Sequence, residues 1–447
     1  MENPVDLNNI STSINHYLLL LVYLLPVALI WLGRIYFRRK ASERHAAVLR
    51  ENQEAGLTEP ASLHPIIDRD LCIACNACAK ACPEGDVLAI IHDKVELINP
   101  TKCIGHGACA TACPVDAITL VFGSEKRGLD IPTVDPSFET NMPGIFIAGE
   151  LGGMGLIRNA IEQGRQAMVS VQKKAAAKKG NGYDVIIIGA GPAGFSASLF
   201  ALENKMRYLT IEQETLGGTV AHYPRGKIVM TAPVQLPIVG KVRFRETTKE
   251  TLLTFWENVA AETGVKINYA ERMESITPNA NGYVVKTTKD SYQTSTILLS
   301  IGRRGTPRKL NVPGEEQNKV VYRLIDPEQY KGRHVLVVGG GDSALEAAHS
   351  IADVPGSTVT LSYRSAAFSR AKVKNREKVE RYNAEGKLKV LMNSNVKEIL
   401  QDKVVIDQEG QKIIMPNDAV IVSAGGIVPT PLLKSIGISV ETKFGTT

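Results

Sequence analysis

The chain has 447 residues, of which 44% are hydrophobic and 22% charged, with a net charge of +6. That length predicts two to four domains with real cores, and so mild a basic excess, without long basic runs, argues against nucleic-acid binding. All seven cysteines fall between Leu71 and Pro114. Their odd number and tight spacing exclude a disulfide framework and point to metal ligation in a reducing compartment.

From Tyr17 to Gly33 the chain reads YLLLLVYLLPVALIWLG, without a charge. This is the short end of a membrane-spanning helix, and Pro26 is tolerable within one. Tyr17, Tyr23, Trp31, Tyr36 and Phe37 supply interfacial anchors. Arg34, Arg38, Arg39 and Lys40 follow, whereas the preceding 16 residues carry only Glu2 and Asp6. A cleaved signal peptide needs the opposite charge order. The positive-inside rule predicts a single-pass anchor over 1–40 (helix about 16–37) in a prokaryotic cytoplasmic membrane, with the N-terminus outside and everything after Lys40 cytoplasmic. Residues 41–66 read as a juxtamembrane stalk.

Residues 67–122 repeat a pattern: CIACNACAKACPEGDVLAI against CIGHGACATACPVDAITLV. Each half predicts a cysteine loop, a short helix and a β-branched strand, an α+β module. The run Cys72-x2-Cys75-x2-Cys78-x3-Cys82-Pro83 has the spacing of bacterial two-cluster ferredoxins, in which the fourth cysteine of each run serves the other cluster. Cluster I then takes Cys72, Cys75, Cys78 and Cys113, as a [4Fe–4S] centre. Cluster II takes Cys103, Cys109 and Cys82, with His106 where a fourth cysteine would stand. Two readings of His106 remain. It ligates a [4Fe–4S] cluster, where neutral imidazole raises the reduction potential, or it lies beside a three-cysteine [3Fe–4S] cluster.

After a basic linker at 171–182, YDVIIIGAGPAGFSASLFALEN predicts strand, glycine turn and helix, with Gly189, Gly191 and Gly194 as a dinucleotide fingerprint. Glu212 closes the next strand, in place to bond a ribose. A second unit, RHVLVVGGGDSALEAAHSIAD, carries Gly339, Gly341, Ser343 and Ala344. Its following strand ends with Arg364, and Arg370 comes next. Arginine rather than an acid there suits a 2′-phosphate, hence NADPH over NADH. The portion from 181 to 447 is predicted α/β with largely parallel sheets.

Two such folds joined by PRKLNVPGEE, together with GGTVAHYPRGKIVMTAPVQLPIVGKV, SIGRRGTPRKLNVPGEE and VVGGGDSALEAA, resemble the flavoprotein reductases of the thioredoxin reductase superfamily. The likeness is strongest to its bacillithiol-disulfide-reductase-like branch, over residues 183–439. It implies FAD in the first fold, with Gly217, Gly218, Thr219, His222 and Tyr223 near the flavin, and a nicotinamide cofactor in the second. The resemblance also implies a closing segment of the form T-x-x-P-G-I-F-x-A-G-D at the end of the chain. None stands there. It occurs upstream instead, as Thr140 to Glu150, with Gly149 and Glu150 at its tip and Glu150 in the place of the aspartate. The reading is a circular permutation. The expected organisation is a displaced FAD-closing segment at 123–170, an FAD domain at 183–306, a nicotinamide domain at 307–412 and a return to the FAD domain at 413–447.

Relatives of this kind pass electrons from flavin to a protein dithiol or directly to a disulfide substrate, and since residues 181–447 hold no cysteine the dithiol route is closed. The expectation is an FAD-dependent NAD(P)H oxidoreductase with no separate acid–base catalytic pair. It would exchange electrons with a one-electron partner, a ferredoxin, a quinone or a larger membrane redox complex. The alternatives are a low-molecular-weight disulfide reductase with regulatory clusters and an electron-conduit subunit of a larger complex.

Overall fold

The computed structural model describes residues 7–55, 57–58, 60, 63–103, 105–124, 128–153, 155–176, 182–230, 233–244, 246–303, 307–369 and 371–445. Side chains of the first helix are described from Val22 on, and that of Met230 is not described. Two compact units divide the chain. One comprises 1–55, 67–99 and 108–118, the other 56–66, 100–107 and 119–447.

In the first unit, helix runs unbroken from Leu7 to Glu54 through Pro26. The segment after Lys40 is rich in Ala, Glu and Arg, strong helix formers, and offers no breaker. The expected boundary between an anchor ending near 37 and a stalk at 41–66 therefore does not exist. Nor is the second half of the helix a free stalk. Ala46, Val48 and Leu49 pack on Ala89, Ile91 and Ile98 of the cysteine-rich module. Ser42 accepts from the His92 amide at 3.0 Å, and Asn52 donates to Ile98 O at 2.9 Å. Upstream, every large apolar side chain described from Val22 to Leu32 is more than half exposed. Among the described residues no helix is long and apolar enough to cross a membrane. The expected span at Tyr17–Gly33 begins on side chains outside that set.

The module has the expected duplicated plan. Its short helices are Ala77–Ala81 and Ala108–Thr111, followed by the strands Leu88–Ile91 and Ile118–Val121. Leu88–Ile91 forms an antiparallel hairpin with Lys94–Leu97.

The second unit is built on two large sheets, one mixed and one wholly parallel. In the first, the order Ile267–Asn268, Tyr208–Ile211, Tyr183–Ile188, Ser291–Leu299 is extended by Ile145–Ile147. That last strand pairs in parallel with Ile297–Leu299. The amino-terminal part of Ser291–Leu299 instead continues an antiparallel meander with Gly282–Thr287 and Met273–Asn279. The upstream segment is thus a structural part of the fold that follows it. Ile145, Phe146, Ile147, Ile161, Met168 and Val171 are all buried to 1% exposure or less. At about 1.5–3 kcal/mol for each large side chain, their burial contributes on the order of 10 kcal/mol, as much as a whole domain's net stability.

The C-terminal end completes this arrangement. Val440–Lys443 pairs antiparallel with Leu129–Pro132. Asn141 donates to Gly437 O at 2.9 Å and accepts from the Ser439 amide at 2.7 Å. The Gly445 amide donates to Phe122 O at 2.9 Å. Residues 437–445 therefore adjoin residues 122–141, which lead into the strand Ile145–Ile147.

The second sheet, Val320–Val321, Ala419–Val422, His334–Val338, Thr358–Ser362, Leu388–Leu391, is wholly parallel. Beside it lies the antiparallel sheet Ser394–Ile399, Lys403–Gln408, Gln411–Pro416. Two expected boundaries shift. The nicotinamide fold keeps the chain to Val422 rather than 412, because Ala419–Val422 is a central strand. Helix Ile157–Ala176 runs into the expected linker at 171–182, because Val171 and Ala175 are core residues that carry the lysines between them. The remainder of that linker, 177–181, lies outside the described residues.

A rewired chain running 182–445 and then directly 128–176 should purify with FAD bound and melt cooperatively, as a circular permutation predicts. Flavin absorbance and a melting curve check this. A flavin-free, non-cooperative product would refute it.

Candidate functional site

The first glycine loop leaves strand Tyr183–Ile188 and enters helix Pro192–Glu203. Its three glycines meet different constraints. Gly189 has φ 101°, and a Cβ there would stand 2.6 Å from Ser300 O. A Cβ on Gly194 would come within 1.8 Å of Gly189 O, so this position brings the helix close to the strand. A Cβ on Gly191 would meet nothing nearer than Gly217 O at 4.0 Å, which leaves the face open to a ligand. That division of roles is the one a dinucleotide loop needs, with a pyrophosphate at the helix N-terminus. Ser300, which the sequence reading passed over, donates to both Ile188 O and Gly189 O at 2.9 Å and fixes the turn.

Glu212 is buried at the lip of this loop. It accepts from the Ala190 amide at 2.7 Å and the Glu214 amide at 2.9 Å. The segment Gly217–Tyr223 is held against the same loop. The Gly217 amide donates to Ala190 O at 3.0 Å, and Gly218, at φ 52°, would place a Cβ 3.1 Å from Gly191 Cα. Thr219 and His222 lie on the short helical turn Gly218–His222. His222 pairs with Glu214, yet burial and the nearby Arg323 hold its pKa below the usual value. Tyr223 presents its carbonyl to Lys249 Nζ at 2.8 Å, and its ring lies 4.8 Å from Lys227 Nζ.

Gly149 and Glu150 come to this site from the displaced segment. Gly149, at φ 84°, would place a Cβ 3.0 Å from Ala193 Cβ, and its amide donates to Gln163 Oε1 at 2.9 Å. One helical step away, a Cβ on Gly164 would stand 2.1 Å from Ala193 O. Helix Ile157–Ala176 therefore crosses the first turn of the dinucleotide helix in backbone contact. An isolated glycine inside a helical pattern was the available signal. Arg303 was also missed, although it stands in the quoted SIGRRG motif. It donates to Asp130 O at 2.9 Å and feels the charges of Glu150 and Asp130, while burial lowers its pKa. These residues fit FAD: a glycine cradle open at Gly191, a buried acid at its lip and a segment that supplies Glu150.

The second loop repeats the logic. A Cβ on Gly339 (φ 145°) would stand 2.4 Å from Ser423 O, and one on Gly340 would stand 2.3 Å from the Tyr363 ring. A Cβ on Gly341 would meet nothing within 4 Å. Gly341 caps helix Asp342–Ala352, on which Ser343 is exposed and Ala344 buried. Arg364 is exposed just past strand Thr358–Ser362, near that loop. Arg370 lies outside the described residues. These groups fit a nicotinamide dinucleotide. On the same helix Glu346 pairs with Lys227 at 2.8 Å, tying the two folds together. Behind it His349 is half-buried, and burial, helped by Lys378, lowers its pKa to about 4.

In the first unit, Cys72, Cys75, Cys78 and Cys113 line one cavity whose remaining wall is apolar, with Ile67, Val95, Val115 and Ile118 among its residues. The loop that carries Cys72, Cys75 and Cys78 turns at Ala74 (φ 55°) and Asn76 (φ 66°), two left-handed residues. Burial raises the Cys78 thiol above its usual pKa, with Cys75 adding to the effect. Four thiols around an apolar void fit a cluster and match the set expected for cluster I. Of the second set, Cys82 and Cys109 lie within electrostatic reach of each other, and burial raises Cys109. Cys103 and His106 belong to the other unit, where Cys103 Sγ stands 3.8 Å from Leu63 O. Among the described residues, no three His, Cys, Asp or Glu side chains converge as ligands of a single metal ion.

Comparison with known proteins agrees with this geometry. Residues 186–445 match the family described as pyridine nucleotide-disulphide oxidoreductase, and residues 64–114 match a 4Fe-4S dicluster domain. A ferredoxin–NADP reductase of Ignicoccus hospitalis is 28% identical over 58% of this chain and 83% of its own length. Bacilliredoxin reductase Bdr of Bacillus subtilis is 26% identical over 58% of this chain and 82% of its own. Among solved structures, the bacillithiol disulfide reductase Bdr (YpdA) of Bacillus cereus superposes with a TM-score of 0.53 at 25% identity, over 57% of this chain and 82% of that one.

Three outcomes follow from the geometry. Gly164→Ala should destabilise the flavin fold by about 3 kcal/mol, since the clash is with backbone. Thermal melting and FAD content measure this. Gly341→Ala should leave the melt unchanged and raise the KM for NADPH at least tenfold. His349 binds its proton in the unfolded chain near pH 6.5 but resists it in the fold to about pH 4. Stability should therefore fall as pH drops through that window, by on the order of 1–3 kcal/mol, and His349→Gln should flatten the fall.

Proposed function

The chain belongs to the pyridine nucleotide-disulphide oxidoreductase family, fused to a 4Fe-4S dicluster domain, and from that premise we propose that it moves electrons between NADPH and a one-electron partner at a membrane. The observation that carries this reading is the placement of the thiols. Four of them surround one apolar cavity, and none stands in the flavin and nicotinamide portion. A dithiol relay on the flavin side is therefore not available to this chain.

FAD, when bound, supplies the exchange between paired and single electrons. The protein's own residues do the positioning. Gly189, Gly191 and Gly194 would admit a pyrophosphate to the helix N-terminus, Glu212 would bond a ribose, and helix Ile157–Ala176 would offer its positive end to the flavin. Gly339 and Gly341 do the same for the nicotinamide cofactor, and Arg364 favours a 2′-phosphate. Cys72, Cys75, Cys78 and Cys113 hold cluster I. By their sequence spacing Cys82, Cys103 and Cys109 would hold cluster II, with His106 as its fourth ligand or as the neighbour of a [3Fe–4S] centre. The similarity to ferredoxin–NADP reductases supports a ferredoxin as partner, with a quinone or a membrane redox complex as the other candidates. The exposed apolar length from Val22 to Leu32, followed by Arg34, Arg38, Arg39 and Lys40, supports attachment to a cytoplasmic membrane.

The test is an anaerobic titration of the intact protein with NADPH. The flavin should bleach and cluster EPR signals should appear together. Cys75→Ala should leave flavin reduction by NADPH intact and cut reduction of a one-electron acceptor at least tenfold. Clusters that dithionite reduces but NADPH leaves oxidised would refute forward transfer. Undiminished turnover of a low-molecular-weight disulfide by the same variant would favour a disulfide reductase with regulatory clusters.

A further inference from the structure

Lys94 opens the strand Lys94–Leu97, and its ammonium is not at the surface end of an ion pair. It donates to Arg69 O at 2.5 Å and to Cys72 O at 3.0 Å, two carbonyls of the loop that carries the first cysteine of the cavity. That loop is already closed from within. Asp68 Oδ1 accepts from the amides of Asp70 at 2.8 Å and Leu71 at 3.2 Å, and the Cys72 amide donates to Asp68 O at 3.1 Å. The turn thus has its own bonds, and the lysine adds a charge to it.

No carboxylate among the described residues pairs with that charge. Its neighbours Arg69 and Glu96 pair with each other. Lys94 is half-buried, and the next residue, Val95, lines the cavity of Cys72, Cys75, Cys78 and Cys113. A cluster held by four thiolates is anionic and becomes more so on reduction. A fixed cation beside it, partly shielded from water, stabilises the reduced form more than the oxidised one.

We propose that Lys94 sets the redox poise of cluster I, holding an uncompensated positive charge against the Cys72 backbone and so raising the cluster's reduction potential. The step it governs is the entry of one electron, ultimately from NADPH, with no bond made or broken. The proposal rests on the reading that these four thiols hold a cluster.

The experiment is an EPR-monitored redox titration of the full-length, cluster-loaded protein and of Lys94→Met, Lys94→Gln and Lys94→Arg. The neutral variants should shift the cluster I reduction equilibrium about tenfold toward the oxidised form, a fall of about 59 mV, and Lys94→Arg should restore it. Neutral variants with full cluster content and the wild-type potential would overturn the proposal. Should neither neutral variant assemble the cluster, Lys94→Arg decides. Assembly at the wild-type potential upholds the role of charge, and failure to assemble shows that only the shape of lysine matters. A wild-type protein lacking the cluster I signal would refute the cluster reading itself, a result distinct from either.

Discussion

Everything in the flavin half depends on two backbones meeting without side chains between them. Gly164 lies against Ala193 O, and Ala193 belongs to the first turn of the dinucleotide helix. Because that crossing is so close, Gly149 also reaches Ala193, and Ile145–Ile147 can take its place beside Ile297–Leu299. The flavin loop is thereby shaped by two segments far apart in sequence. A larger residue at 164 would push both the loop and the edge strand out of register.

The same unit shows how a fold tolerates a new chain order. The parallel ladder needs only that its strands lie side by side, not that they be joined in a given sequence. The antiparallel contact of Val440–Lys443 with Leu129–Pro132 forms a seam between two segments far apart in the chain. The bonds of Asn141 to residues 437 and 439 keep that seam closed without a covalent link.

Chemistry that depends on residue type and spacing was legible in the sequence. The cysteine intervals identified the four thiols that share a cavity, and the glycine positions marked loops whose Cβ environments differ as dinucleotide binding requires. The motif Thr140–Glu150 identified a displaced element although it stands far from its expected place. Geometry that depends on what lies opposite was not legible. Lysines at 173 and 174 suggested a linker, whereas the buried faces of Val171 and Ala175 make it helix. Residues 413–422 read as a return segment because nothing local marks Ala419–Val422 as the partner of His334–Val338. The helix from Leu7 to Glu54 looked like two elements because its composition changes at Arg34, yet its backbone does not. Lys94 and Arg303 had no local signal of their tertiary partners.

The seam between residues 129–132 and 440–443 also fixes an order of biosynthesis. Ribosomes deliver the cluster ligands first, then the edge strand Ile145–Ile147, and only much later the strand Ile297–Leu299 on which it must pair. Phe146, Met168 and Val171 therefore leave the ribosome before the core that will cover them exists. The strand Ile145–Ile147 therefore cannot pair until Ser291–Leu299 has been made. The cost is a long interval in which an apolar strand edge is uncovered, the circumstance in which nascent chains aggregate or recruit chaperones.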